Sequence, residues 1–290
     1  MASQHSLSGA ASCAPERLYR LSDYQIIRRP RYGRWISAAA ILSVLGMIAY
    51  AFATGQIDWQ VFRRFLTVSS ILNGVANTVI LAVLAMAIGI ALGTITAIMR
   101  SSDNPVLQSV AFAYIWLFRG TPVLLQLMLW YNLALVFPVI GIPGVWSMPM
   151  IEFMTPFTAA LLGLALNQGA YTSEVMRAGM LSVDTGQYEA AKTIGMTRLR
   201  ALRRIVLPQA MRVVIPPLGN EFILLVKTTS LASVIQFSEV MYNASSIYYS
   251  NARVVELLLV AGAWYLAVVS VLTLIQIPLE RHFAKGSERR

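Results

Sequence analysis

Few side chains in this 290-residue chain are of the kinds that make or break bonds, and their placement excludes most chemistry. The two histidines, His5 and His282, and the only cysteine, Cys13, lie in the terminal regions. That removes most zinc sites and histidine-activated nucleophiles from the body of the chain. A lone cysteine forms no intrachain disulfide. The loop that cradles nucleotide phosphates ends in glycine followed by lysine, but neither Lys192 nor Lys227 follows a glycine and Lys285 follows Ala284. What remains is a set of polar residues embedded in apolar sequence. Arg119, Glu174, Glu221 and Lys227 are its charged members, Thr228 adjoins Lys227, and Asn77, Gln126, Asn167, Gln168 and Asn220 add amides. A charge near the bilayer centre costs at least ~2.5–3.5 kcal/mol on insertion scales, so such residues face a bundle interior or a cavity. Their chemistry is recognition: lining a path for a polar solute, or joining helices by hydrogen bonds. Arg119 and Glu174 lie near span ends, within reach of the interface, whereas Glu221 and Lys227 are six residues apart and need partners on other helices.

The elements that hold these residues are membrane spans. Hydrophobic residues make up 57% of the chain and charged residues only 12%, about half the ~25% usual in soluble domains. A polar, arginine-rich tail occupies 1–34, followed by apolar runs at 35–54, 72–99, 106–137, 157–176, 213–235 and 255–277, a pattern for an all-α polytopic bundle of six helices. Small residues around 49–53 resemble a signal cleavage site, but the leading region is too long for a signal, so 35–54 is expected to remain as an anchor. The third run is long for one helix, and Gly120 followed by Pro122 is expected to break or kink it. Residues 138–155, rich in Pro and Gly, are expected to form an external loop. With the N-terminus inside, eighteen of the 23 Lys and Arg fall in inner segments and three in outer loops. This bias puts both termini in the cytoplasm, 282–290 being the second tail. The net charge of +10 is therefore a topology signal and not a nucleic-acid footprint.

The inner loop at about 178–212 has its own architecture. Asp184 or Thr185 caps a short helix through Tyr188-Glu189-Ala190-Ala191-Lys192, and Gly195 provides a left-handed stop. Thr197 is expected to cap a second helix with Leu199, Leu202, Ile205 and Val206 on one apolar face, ended by Pro208. The arginines of this helix, Arg198, Arg200, Arg203 and Arg204, suit either anionic lipid headgroups or a docked protein.

Glu189-Ala190-Ala191, then Gly195, Ile205, Leu207 and Pro208 at their spacing, resemble the "EAA" loop of binding-protein-dependent ABC importer permeases. The chain is also similar to the polar-amino-acid branch. Phe118-Arg119-Gly120-Thr121-Pro122 with Gln126, Ala170-Tyr171, Glu174, Arg177-Ala178-Gly179, Gly186-Gln187, Asn220-Glu221 and Lys227-Thr228-Thr229-Ser230-Leu231 carry that likeness. It spans about 72–281, a five-span core, and leaves the tail and first span outside. The resemblance implies that Gly186, Glu189, Ala190, Ala191, Gly195, Ile205, Leu207 and Pro208 form a coupling helix seated on an ATPase subunit. It further implies a second permease subunit, an extracytoplasmic solute-binding protein, a polar amino acid as cargo, and an inner-membrane location. No cofactor is expected on this chain, with ATP and magnesium used by the ATPase. Many relatives have Asp where this chain has Thr228, and that loss of a carboxylate beside Lys227 favours neutral or acidic amino acids over arginine and lysine. An ion-driven secondary transporter predicts paired carboxylates within spans and an internal repeat, and neither is evident. A membrane enzyme needs an acid, base or metal constellation that is missing from the spans, and a plain anchor has no need of Glu221 and Lys227.

Overall fold

A computed structural model describes residues 32–142 and 144–284. Most of the N-terminal tail and the last residues of the C-terminal one lie outside them. The first helix, α1 (Tyr32–Thr54), forms a unit of its own with the residues up to Gln56. It carries no charge between Arg34 and its end, and a helix apolar on all sides is a membrane span.

The second unit begins with a short amphipathic helix, α2 (Trp59–Leu66), capped by Asp58. A 32-residue helix, α3 (Ser69–Arg100), follows. Next come α4 (Pro105–Gly120) and α5 (Val123–Tyr131), a hairpin of β1 (Val139–Ile142) and β2 (Trp146–Pro149), and the single turn α6 (Met150–Phe153). The 26-residue α7 (Pro156–Leu181) leads to α8 (Thr185–Thr193) and α9 (Arg198–Ala201). A π-turn at Leu202–Val206 then runs into α10 (Leu207–Thr228), a 3-10 segment (Thr229–Ile235), α11 (Val240–Asn251) and α12 (Val254–Ala284).

Among the described residues, four helical stretches are long and apolar enough to cross a membrane, or five if the bent pair α4 and α5 is one span. The helix at the centre, α7, is the exception. It packs along α3 and also touches α4, α5 and α10, so its surface meets protein and tolerates Asn167, Gln168 and Glu174. The close approach to α3 depends on missing side chains. A Cβ on Gly89 would sit 2.9 Å from Gln168 Cγ, and one on Gly93 would sit 2.7 Å from Thr172 Cβ. This small-residue spacing lets membrane helices pack backbone to backbone, where lipid tails provide no hydrophobic drive.

The third apolar run breaks where Pro122 demands it, with α4 and α5 at 101°. Thr121 is extended, as the residue before proline prefers, and the Pro122 nitrogen has no hydrogen to donate. Residues 138–155 differ from the expected loop. β1 and β2 pair antiparallel with Ile140 opposite Met148 and Ile142 opposite Trp146, and Gly144 takes a positive φ in the turn. Ile140 packs on the core, which turns the segment into a folded hairpin.

Pro208 does not end its helix, contrary to expectation. It occupies the first turn of α10, where no amide hydrogen is needed, and the preceding π-turn carries the backbone past it with Leu207 N–H bonded to Leu202 C=O. Pro216 and Pro217 likewise lie inside α10 without ending it.

Candidate functional site

Two groups of residues stand out: the short helices between α7 and α10, and the polar centre around α7. In the first, Asp184 caps α8 by accepting from the Gly186 amide at 2.7 Å, so the cap is Asp184 and not Thr185. Gly195, at φ 72°, closes the helix. Its amide bonds Lys192 C=O at 3.0 Å while the Met196 amide bonds Ala191 C=O at 3.0 Å, a Schellman turn. Of the residues assigned to coupling, Ala191 is buried, Ile205 is half-buried, and Gly186, Glu189, Ala190, Gly195, Leu207 and Pro208 are exposed. The expected apolar face divides. Val206 and Leu202 pack with Val183 and Ala210, whereas Leu199 is 74% exposed. Leu199 joins Thr197, Arg200, Arg203 and Arg204 around a groove of about 460 Å³. Since α7 continues to Leu181 and α10 begins at Leu207, the projecting unit is 182–206, shorter than 178–212.

This unit is fastened to the spans. Val183, Leu202 and Val206 of the unit pack on Ala210 of α10, and Gly179 of α7 lies against Val214 and Ala210 C=O of α10 with no room for a Cβ.

In the polar centre, Gln126 and Asn167 repair the broken span. Gln126 Nε2 donates to the carbonyls of Phe118 (3.0 Å) and Thr121 (3.1 Å) and to the Thr121 hydroxyl (2.8 Å). Asn167 Nδ2 donates to Phe118 C=O at 2.7 Å and to Gln126 Oε1 at 3.3 Å. Both amides are buried, and together they satisfy the carbonyls released at Pro122. Gln168 Nε2 reaches Glu221 Oε2 at 3.4 Å, bringing α7 and α10 together. Asn220 Oδ1 accepts from Gln276 of α12 at 2.9 Å, and Asn77 Nδ2 donates to Ser238 C=O at 2.7 Å. The Arg119 guanidinium lies 5.0 Å over the Tyr171 ring. The Thr228 hydroxyl is tied to Leu224 C=O at 2.9 Å, and Lys227 is exposed with no side-chain partner among the described residues. These residues therefore do not converge on one point: Gln126 with Asn167, and Gln168 with Glu221, form separate pairs.

Sequence reading missed two arrangements. Glu174 is paired with both Arg100 of α3 and Arg177. Only tertiary structure joins residues 74 positions apart, although an arginine closing one span and a glutamate within another is the kind of signal that suggests such a pair. Glu239, fully buried, accepts from the amides of Met241 (2.8 Å) and Tyr242 (2.6 Å) and from Tyr265 O–H (2.5 Å). It is the N-cap of α11, and Ser-Glu before an apolar helical run was the available signal.

Such a bundle, with a short helical unit projecting between two long helices and no nucleotide loop in the sequence, is the architecture of a transporter's membrane subunit. Comparison with known proteins is specific. The family described as "Binding-protein-dependent transport system inner membrane component" matches residues 89–284. The arginine transport system permease protein ArgU of Corynebacterium glutamicum is 40% identical over 97% of this chain and 88% of its own length. The nopaline transport system permease protein NocM of Agrobacterium fabrum is 41% identical over 70% of this chain and 83% of its own. A crystal structure of an amino acid ABC transporter with histidines superposes with a TM-score of 0.63 at 35% identity, over 73% of this chain and 94% of that one. The chain belongs to the binding-protein-dependent transport family, as a permease component of an amino acid ABC transporter. It is a transport subunit of the membrane and not itself an enzyme.

Proposed function

We propose that this chain forms half of an import path for polar amino acids, in the cytoplasmic membrane with both termini inside. The unit 182–206 couples it to a separate ATPase that uses ATP and magnesium, α7 serves as the sixth span, a second permease subunit completes the path, and an extracytoplasmic solute-binding protein delivers the cargo. The observation that carries this reading is the exposed Leu199 on a unit that packs on α10 through Val183, Leu202 and Val206, with α10 in turn closely packed on α7 at Gly179. A push on this unit is expected to reach α10 through that packing and α7 through Gly179.

The likeness to ArgU covers 97% of this chain and so reaches into the tail and first span, and the solved amino acid transporter holds histidines. Both favour a cationic amino acid, arginine or histidine, as cargo. The missing carboxylate at Thr228 argues the other way, for neutral or acidic cargo, and a competition assay decides between the two. Any carboxylate meeting the cargo's cationic side chain is then Glu221 or one from a partner subunit.

The test is copurification and hydrolysis. Leu199→Glu alters an exposed side chain, so the permease is expected to fold and insert, and substrate-stimulated hydrolysis by the copurified ATPase is expected to fall. Full stimulation in this variant would assign docking elsewhere.

A further inference from the structure

The groove on the projecting unit holds three arginines and no acid. Arg200, Arg203 and Arg204 line it with Thr197 and Leu199, and no carboxylate belongs to its lining. All three arginines are exposed, and none forms an ion pair among the described residues. Their surroundings do not offset them. The stretch 182–206 has two acids, Asp184 and Glu189, against Lys192 and four arginines. Asp184 Oδ1 is also engaged as the cap of α8. A guanidinium is a rigid fork that matches a carboxylate through two hydrogen bonds. Three such forks around one groove fit an occupant that brings carboxylates of its own.

A second copy of this unit brings the same positive excess, and facing like charges oppose docking. Anionic headgroups are the next candidate, but their level is marked by the ion pairs of Glu174 with Arg100 and Arg177, where α3 ends. From Arg177 the chain runs four residues to Leu181 before the unit begins. That is ~6 Å along α7, about the thickness of a headgroup layer. Leu199, exposed in the same lining, also gains more from a protein socket than from headgroups. Resting on the coupling role given above, we propose that the ATPase presents an acidic cleft to this groove. Its carboxylates pair with Arg200, Arg203 and Arg204, and Leu199 seats in an apolar socket beside them. The arginines then select the partner and steer its approach, which is what charge complementarity across an interface supplies.

The test uses the full-length permease in phosphatidylcholine nanodiscs with its cognate ATPase. The dissociation constant is measured at ~0.1 and ~1 M salt, a change that shortens the screening length from ~10 to ~3 Å. Binding by the parent is expected to weaken about tenfold. An exposed ion pair contributes up to about fivefold in affinity. Arg200→Gln, Arg203→Gln and Arg204→Gln combined are therefore expected to cost about tenfold at low salt and to flatten the salt response. Arg200→Lys, Arg203→Lys and Arg204→Lys combined keep the charge and are expected to retain most of the binding. Treated with carbodiimide, this lysine variant is expected to form amide bonds to Asp or Glu side chains of the ATPase, beyond those the parent forms through Lys192, as located by peptide mapping. Binding that neither salt nor the glutamine variant weakens overturns the proposal and leaves the coupling role standing. A parent that binds no ATPase overturns both. A difference between parent and glutamine variant that appears only in nanodiscs containing phosphatidylglycerol also overturns the proposal, and assigns the arginines to lipid.

Discussion

The turn at Gly195 is the place to test whether the projecting unit works by its shape. A Cβ there meets nothing within 4 Å, so substitution brings no clash and the whole effect arises in the backbone. At φ 72° an ordinary L-residue costs ~1–2 kcal/mol, which shifts the ratio of this turn to its alternatives by a factor of ~5–30. Asparagine tolerates the left-handed region best and β-branched valine worst. Loss of the turn breaks the bonds from Gly195 N to Lys192 C=O and from Met196 N to Ala191 C=O, and re-aims α9. In vesicles containing the permease, the ATPase and the binding protein, substrate-stimulated hydrolysis is expected to rank parent, Asn, Ala, Val. Val should lie lowest, by at most ~5–30-fold, at equal amounts of inserted protein. Two outcomes refute the reasoning: full stimulation in Gly195→Val, or an Asn variant as impaired as Val, which would make bulk at the docking face the cause.

Gly179→Leu, which forces a side chain between α7 and Val214, is expected to cost ~1–3 kcal/mol of stability in detergent melts and to uncouple hydrolysis from uptake. With Cys13 replaced, a cysteine at Ser147 is expected to react with impermeant maleimide in intact cells and one at Ser182 only after permeabilisation; the reverse overturns the orientation. Glu239→Ala is expected to lower stability by ~2 kcal/mol or more, because it removes the α11 cap and strands Tyr265 O–H, and Glu239→Gln by less; equal unfolding midpoints would refute this. In a competition assay with the cognate binding protein, excess arginine is expected to inhibit uptake more strongly than glutamate, and the opposite order would uphold the preference inferred from Thr228.

What the sequence disclosed follows from how local each signal is. Asp184 as a cap, Gly195 as a left-handed stop and Pro122 as a break depend on the residue and its neighbours, and the structure has all three. Pro208 misled because proline forbids a donor but not a helix start, and the π-turn before it is invisible to a 3.6-residue period. The hairpin at Val139–Pro149 was hidden by its short strands and by glycine and proline that read as loop. For the candidate path, residue type was legible and use was not. Gln126 and Asn167 are as polar as a substrate contact requires, yet both are committed to carbonyls of the broken span, a partner set that exists only after α4, α5 and α7 have met.

The polar character of α7 also dictates an order of assembly. A segment bearing Asn167, Gln168, Glu174 and Arg177 gains little by entering lipid alone, since charged residues weigh against insertion by ~2.5–3.5 kcal/mol each near a helix centre. By the time it is synthesised, α3 is already in the bilayer with Arg100 and the Gly89–Gly93 notch. During biogenesis, then, α7 is expected to enter the membrane against α3, and a lesion in that notch to appear as a chain that fails to integrate and is degraded.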